Sequence, residues 1–240
     1  MSAYMPQFAP IVVLAFLGTG FLLAMSVLLL VAGLIRKSRT ILRLGWMTGV
    51  FLFLCYSGIQ LGLSLLSREV VLPVDAWKYF CEIDCHVAYS VGEIRTIASA
   101  GPEMPQVAGN GKFVVIEVKT WFDPSTISAH RGDAPLTPNG RIVRLLDGSG
   151  HSYERFAHED EVLAALGLVS TPWRTALRPG ESYATFVVFE VPASESSSRL
   201  LLTSADEENA LLWGDENSVL HKKILFALSP ERETPPKKSR

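Results

Sequence analysis

Apolar and polar positions divide the chain into two unlike parts. The first holds two long uncharged runs, Ile11 to Ile35 and Leu44 to Leu66. Each exceeds the roughly 20 apolar residues needed to cross a bilayer core. Helices are predicted over about 10–35 and 42–66, within a hairpin unit of residues 1–68. The second part, residues 69–228, alternates with a period of two in short stretches. Strands are expected at His86 onward, Lys112 to Phe122, Arg141 to Asp147, Ser182 to Val191, Arg199 to Thr203 and Leu220 to Leu228. Residues 98–111 and 123–140 are rich in glycine, proline and polar side chains and read as loops. Helical spacing occurs only at His158 to Gly167. Six or seven strands with so little helix predict a β-sandwich. A βαβ fold would alternate strands with helices of about 10–15 residues. Residues 229–240 read as a disordered polar tail.

Charge sets the orientation. Arg36, Lys37, Arg39 and Arg43 cluster between the two apolar runs. By the positive-inside rule this turn stays in the cytoplasm. Both ends of the hairpin then face outward, with the sandwich in the periplasm of a bacterial inner-membrane protein. A cleavable signal peptide has a basic segment before a short apolar region; here the positive charge follows a long one. The lipid bilayer is thus one partner, and other membrane or periplasmic proteins are expected as well. A formal net charge of -2 argues against nucleic acid. Neither apolar run holds an Asp, Glu, Lys, Arg or His, which a transporter or proton pump would need. Tyr56 and Gln60 are the strongly polar groups of the second run, and Gln60 is expected to bond to the other helix or to a partner subunit. Gly45-x-x-x-Gly49 and Gly58-x-x-x-Gly62 are spacings that let helices approach, and are expected to pack the hairpin on itself.

One segment concentrates soft metal ligands: Cys81-Glu82-Ile83-Asp84-Cys85-His86. In an extended strand Cys81 and Cys85 would stand about 13 Å apart at about 3.3 Å per residue, beyond the roughly 7 Å that a disulfide spans. A turn at Glu82 to Asp84 would bring them together. Three readings stay open: a local disulfide stapling the domain's entry, a copper or other metal site, and free or redox-active thiols. A metal site on Cys81, Cys85 and His86 needs a further ligand. His221 is the best distant candidate; His130, His151, His158 and Met104 are weaker. Cys55, in the second apolar run, reads as a packed residue.

The segment is similar to a c-type haem attachment site but has one residue too many. It is also similar to the copper site of oxidase subunit II, where histidine and methionine stand at positions here held by Tyr89 and Gly92. Copper chaperones share its cysteine spacing but sit on a thioredoxin fold. None of these carries over.

Signatures of hydrolases, zinc proteases, P-loops and dinucleotide-binding enzymes are missing. Trp213 to Ser218 offers oxygens that could suit calcium, yet lacks the spacing of a calcium loop and reads as a turn.

The block Leu177-Arg178-Pro179-Gly180-Glu181, followed by a Phe/Val strand ending at Pro192, resembles bacterial immunoglobulin-like extracytoplasmic domains of unknown function. So does the turn Asp147 to Gly150 ahead of Tyr153. The resemblance spans 112–228. It implies an Ig-like β-sandwich held at a membrane and no particular activity. The leading expectation is a non-enzymatic interaction or accessory module, with a copper-binding or thiol-redox domain as the alternative.

Overall fold

The computed structural model describes residues 3–6, 9–80, 85–97, 111–128, 130–195 and 198–228. Two helices, α1 (Ala9–Ile35) and α2 (Arg39–Leu66), form an antiparallel hairpin. Ser38 caps the start of α2 by accepting from the Ile41 amide. Both helices are long and apolar enough to cross a membrane, and their apolar side chains are largely uncovered.

The rest is a β-sandwich of two five-stranded sheets. The first runs in the order β1 (Ala3–Tyr4), β3 (Trp77–Phe80), β4 (Val87–Ile97), β5 (Gly111–Phe122), β8 (Ser182–Pro192). The second runs β2 (Val70–Leu72), β10 (Ile224–Ala227), β9 (Arg199–Ser204), β6 (Arg141–Leu146), β7 (Ser152–Tyr153). One short helix, α3 (Glu159–Ala165), lies on the first sheet.

The sequence explains why the first sheet is its apolar centre. In β5, Val114, Ile116 and Val118 face the second sheet, where they meet Leu200, Leu202 and Phe226. Phe113 and Val115 point the other way, under Val162 and Leu163 of α3. Both faces are therefore covered, so the strand reads as a continuous apolar run. The Leu177–Glu181 turn forms as its residues suggest. Gly180 takes φ +87°, a left-handed conformation suited to glycine, and its amide donates to Phe122 O at 2.8 Å. In the Asp147 turn, the carboxylate accepts from the Ser149 hydroxyl and from the Ser149 and His151 amides. These bonds hold its pKa down to about 2.

Two expectations change. The last strand is Ile224–Ala227, shorter than 220–228. Leu220 sits at φ +64°, and the Lys222 amide donates to Ser67 Oγ instead of joining a ladder. The glycine pairs also divide. An added Cβ on Gly45 would meet Leu30 at 3.1 Å and one on Gly49 would meet Ser26 Oγ at 2.7 Å. At Gly58 and Gly62 nothing lies within 4 Å. Only the first pair packs the hairpin, and Ser26 Oγ seals it by donating to Gly45 O at 2.7 Å. The expected tail, 229–240, lies outside the described residues.

A Gly45→Leu substitution is therefore expected to separate the helices and lower the melting temperature in detergent. Gly58→Leu should leave it nearly unchanged. Thermal melts of the two variants beside wild type check this.

Candidate functional site at the hairpin–sandwich junction

The described features that combine cavity, buried charge and inter-element contact converge where the hairpin meets the sandwich. The chain enters this place three times. β1 precedes α1 and pairs in parallel with β3, Ala3 against Trp77 and Tyr4 against Lys78. β2 follows α2 and pairs in parallel with β10. The connection from β9 to β10, residues 205–223, folds back onto α2.

Two polar side chains of α2 hold that connection. Tyr56 Oη donates to Leu211 O at 2.7 Å. Gln60 Nε2 donates to Ala210 O at 2.8 Å and to Ser218 Oγ at 2.7 Å. The Tyr56 and Trp213 rings lie 4.9 Å apart, and Phe16 of α1 approaches Tyr56 at 6.5 Å. Gln60 Nε2 thus bonds to the sandwich's own loop and not to α1.

Beneath the loop a lysine is buried. Lys78 is 1% exposed. Its Nζ donates to Glu216 Oε1 at 2.6 Å, Leu202 O at 2.6 Å and Ile224 O at 3.2 Å. Glu216 Oε2 accepts from the Ile224 amide at 3.1 Å. One cation of the first sheet therefore binds two strands of the second and the connecting loop. Burial pushes the Lys78 pKa down, and Glu216 opposes that shift. With its three donors engaged, Lys78 is a clamp and not an accessible base. Arg141 lies over the Phe80 ring beside it, 4.1 Å from the centroid.

A cavity of about 290 Å³ lies between the hairpin and this clamp. Val12, Val13 and Leu63 of the hairpin form its apolar wall, and Tyr4, Trp213 and Asp215 face them. Asp215 is half-buried and its pKa is pushed up to about 6, first by burial and then by Glu216. Its carboxylate accepts from the Asn217 amide at 2.7 Å.

The cysteine segment fares differently. Cys81 and residues 82–84 lie outside the described residues. Among those described, Cys55 is the free cysteine, and it is exposed on α2 rather than packed. His86 stacks on Phe122 at 5.7 Å, and its Nδ1 lies 2.9 Å from Thr126 Oγ1. That hydroxyl donates to Asp123 O, so Nδ1 is the donor and a metal would have to take Nε2. His221 Nδ1 is bonded to Lys222 O at 2.7 Å, ahead of β10 in the other sheet. His151 sits in the Asp147 turn and His158 at the start of α3. Among the described residues no group of three or more His, Cys, Asp or Glu side chains could hold a metal ion.

Lys78 and Glu216 escape a reading of the sequence alone. The signal for Lys78 was present: a lone cation in the strand Trp-Lys-Tyr-Phe. Glu216 gave none, since it lies in a segment read as a turn, and that turn is what carries it inward.

No family model matches the chain, and no curated protein matches it. Several solved structures are similar at low identity. The yjhA protein from Bacillus subtilis is 13% identical, covering 66% of this chain and 100% of its own, with a TM-score of 0.37. An uncharacterized beta-sandwich protein from Clostridium difficile 630 is 10% identical, covering 68% and 97%, with a TM-score of 0.34. The secreted protein MPT63 from Mycobacterium tuberculosis is 9% identical, covering 59% and 82%, with a TM-score of 0.34.

Removing one partner of a buried ion pair costs about 3–5 kcal/mol, whereas replacing both with apolar groups is often near neutral. Lys78→Met and Glu216→Leu should each destabilise by that order, and the double variant should recover only part of the loss in denaturant unfolding, because the Ile224 amide and the Leu202 and Ile224 carbonyls lose these partners. Asp215 makes a pH prediction. Its folded pKa lies above the unfolded one, so the folded state gains protons and its stability falls as pH rises from about 4 to about 6. Asp215→Asn should raise the melting temperature at pH 8 and leave it unchanged at pH 4.

Proposed function

We propose that the chain is a membrane-anchored extracytoplasmic module of the immunoglobulin-like type, an accessory subunit of a larger membrane complex. The observation that carries this reading is the shared end. β1 and β2 both join the sandwich at the end of the hairpin opposite Arg36 and Lys37. With the basic turn in the cytoplasm, N-terminus and sandwich lie together outside the inner membrane. The hairpin leaves much apolar surface uncovered, including Phe21, Phe51 and Leu54. Other membrane helices have room to pack there.

The reading includes a Cys81–Cys85 disulfide. Its support is that Cys85 is disulfide-bonded while Cys55 is free. It would restrain the β3–β4 connection in an oxidising compartment.

Three outcomes are expected. In cells stripped of their outer layers, an impermeant thiol reagent labels Ser149→Cys in the sandwich and not Ser38→Cys in the turn. In mild detergent, the native protein migrates well above the 26.3 kDa of its chain, together with other membrane polypeptides. Migration as the bare chain or a homodimer contradicts the accessory role. Thiol titration of denatured, unreduced protein detects Cys55 alone; bound copper that disappears in Cys81→Ser would favour the metal reading instead.

A further inference from the structure

We infer that the β9–β10 connection is itself a lipid-contacting element: Leu211, Val219 and Leu220 insert at the boundary between headgroups and acyl chains of the outer leaflet. The inference rests on the hairpin spanning a bilayer.

Depth can be counted along the helices. From the basic turn, at about 1.5 Å per residue, Phe16 lies about 30 Å up α1 from Arg36 and Tyr56 about 26 Å up α2 from Arg39. The hydrocarbon core is about 30 Å thick. Phe16 and Tyr56 therefore fall at its outer edge, the level at which tyrosine and tryptophan gather in membrane proteins. Trp213, from a different part of the chain, joins them through its contact with Tyr56. The hydrogen bond from Tyr56 to Leu211 O fixes the loop backbone at the same level. The last helical turns, Leu61 to Leu66, then rise above the core beside the loop.

The loop exposes three large apolar side chains. Leu211 is 55% exposed, Val219 77% and Leu220 61%. They continue the uncovered surface of the hairpin, where Leu63 and Leu65 are also exposed. In water such side chains would stay hydrated; against acyl chains their burial is favourable. The charges nearby also fit a neutral surface. Glu207 and Glu208 are exposed at the start of the loop and Lys222 at its end, so no excess of positive charge selects anionic lipid. Val169 provides the contrast. It is 87% exposed but belongs to the α3–β8 connection, where its neighbour Ser170 bonds within β8 at Phe186.

The test uses the full chain in phosphatidylcholine vesicles, with one environment-sensitive fluorophore attached to a thiol under non-reducing conditions. The label goes on native Cys55, or on Leu211→Cys, Val219→Cys or Val169→Cys in a Cys55→Ser background. Lipid brominated near the top of its acyl chains is expected to remove most of the emission at Cys55, Leu211→Cys and Val219→Cys. The Val169→Cys label should be insensitive to it and quenched by aqueous iodide. If Cys55 is quenched by brominated lipid while both loop labels behave like Val169→Cys, the inference is overturned and the anchor stands. If Cys55 is not quenched either, both fail.

Discussion

A lysine ammonium shielded from solvent is the constraint on which the architecture depends. Lys78 lies between two sheets, and a charge in that position needs compensation on every donor. It obtains carbonyl oxygens from β9 and β10 and a carboxylate from Glu216. The first two fix the distance between the sheets at this end. The third requires the connection after β9 to turn back over the sandwich instead of running out into solvent. A single buried cation thereby specifies where a loop of the opposite sheet must lie.

That loop has its own unsatisfied groups, and α2 has complementary ones. Tyr56 and Gln60 carry donors in the part of α2 from Leu44 to Leu66, which holds no charged residue. Left unpaired in an apolar setting, each would cost several kcal/mol by the order usual for buried polar groups, about 2–7. The carbonyls of Ala210 and Leu211 accept from them. The hairpin is consequently not a tether from which a domain hangs. Hydrogen bonds join helix to loop and loop to clamp, and β1 closes the arrangement from the other end of the chain.

The sandwich was legible wherever strands are long and their neighbours ordinary. β5 and β8 announce themselves because apolar residues fill both faces, and the Leu177–Glu181 turn because glycine is needed at Gly180. α3 was legible from the spacing of Val162, Leu163 and Leu166. The junction was not. Lys78 and Glu216 are 138 residues apart in sequence, and no local pattern reports a pairing over that distance. Gln60 could be recognised as needing a partner, but its partner lies 150 residues later. β1 is two residues long, too short for periodicity to register. The cysteine cluster is legible because its thiols and imidazole are adjacent in sequence, whereas the contacts that organise this molecule come from residues far apart.

The most direct test is hydrogen exchange, read by mass spectrometry, on the full chain in lipid nanodiscs. Wild type is compared with Tyr56→Phe/Gln60→Ala. If the hairpin and sandwich are one unit, removing those donors should abolish protection of the 207–218 amides and weaken it at Tyr4 and Lys78, while β5 and β8 stay protected. Unchanged protection in the loop and in β1 would contradict the account, leaving a sandwich that folds and stands independently of its anchor.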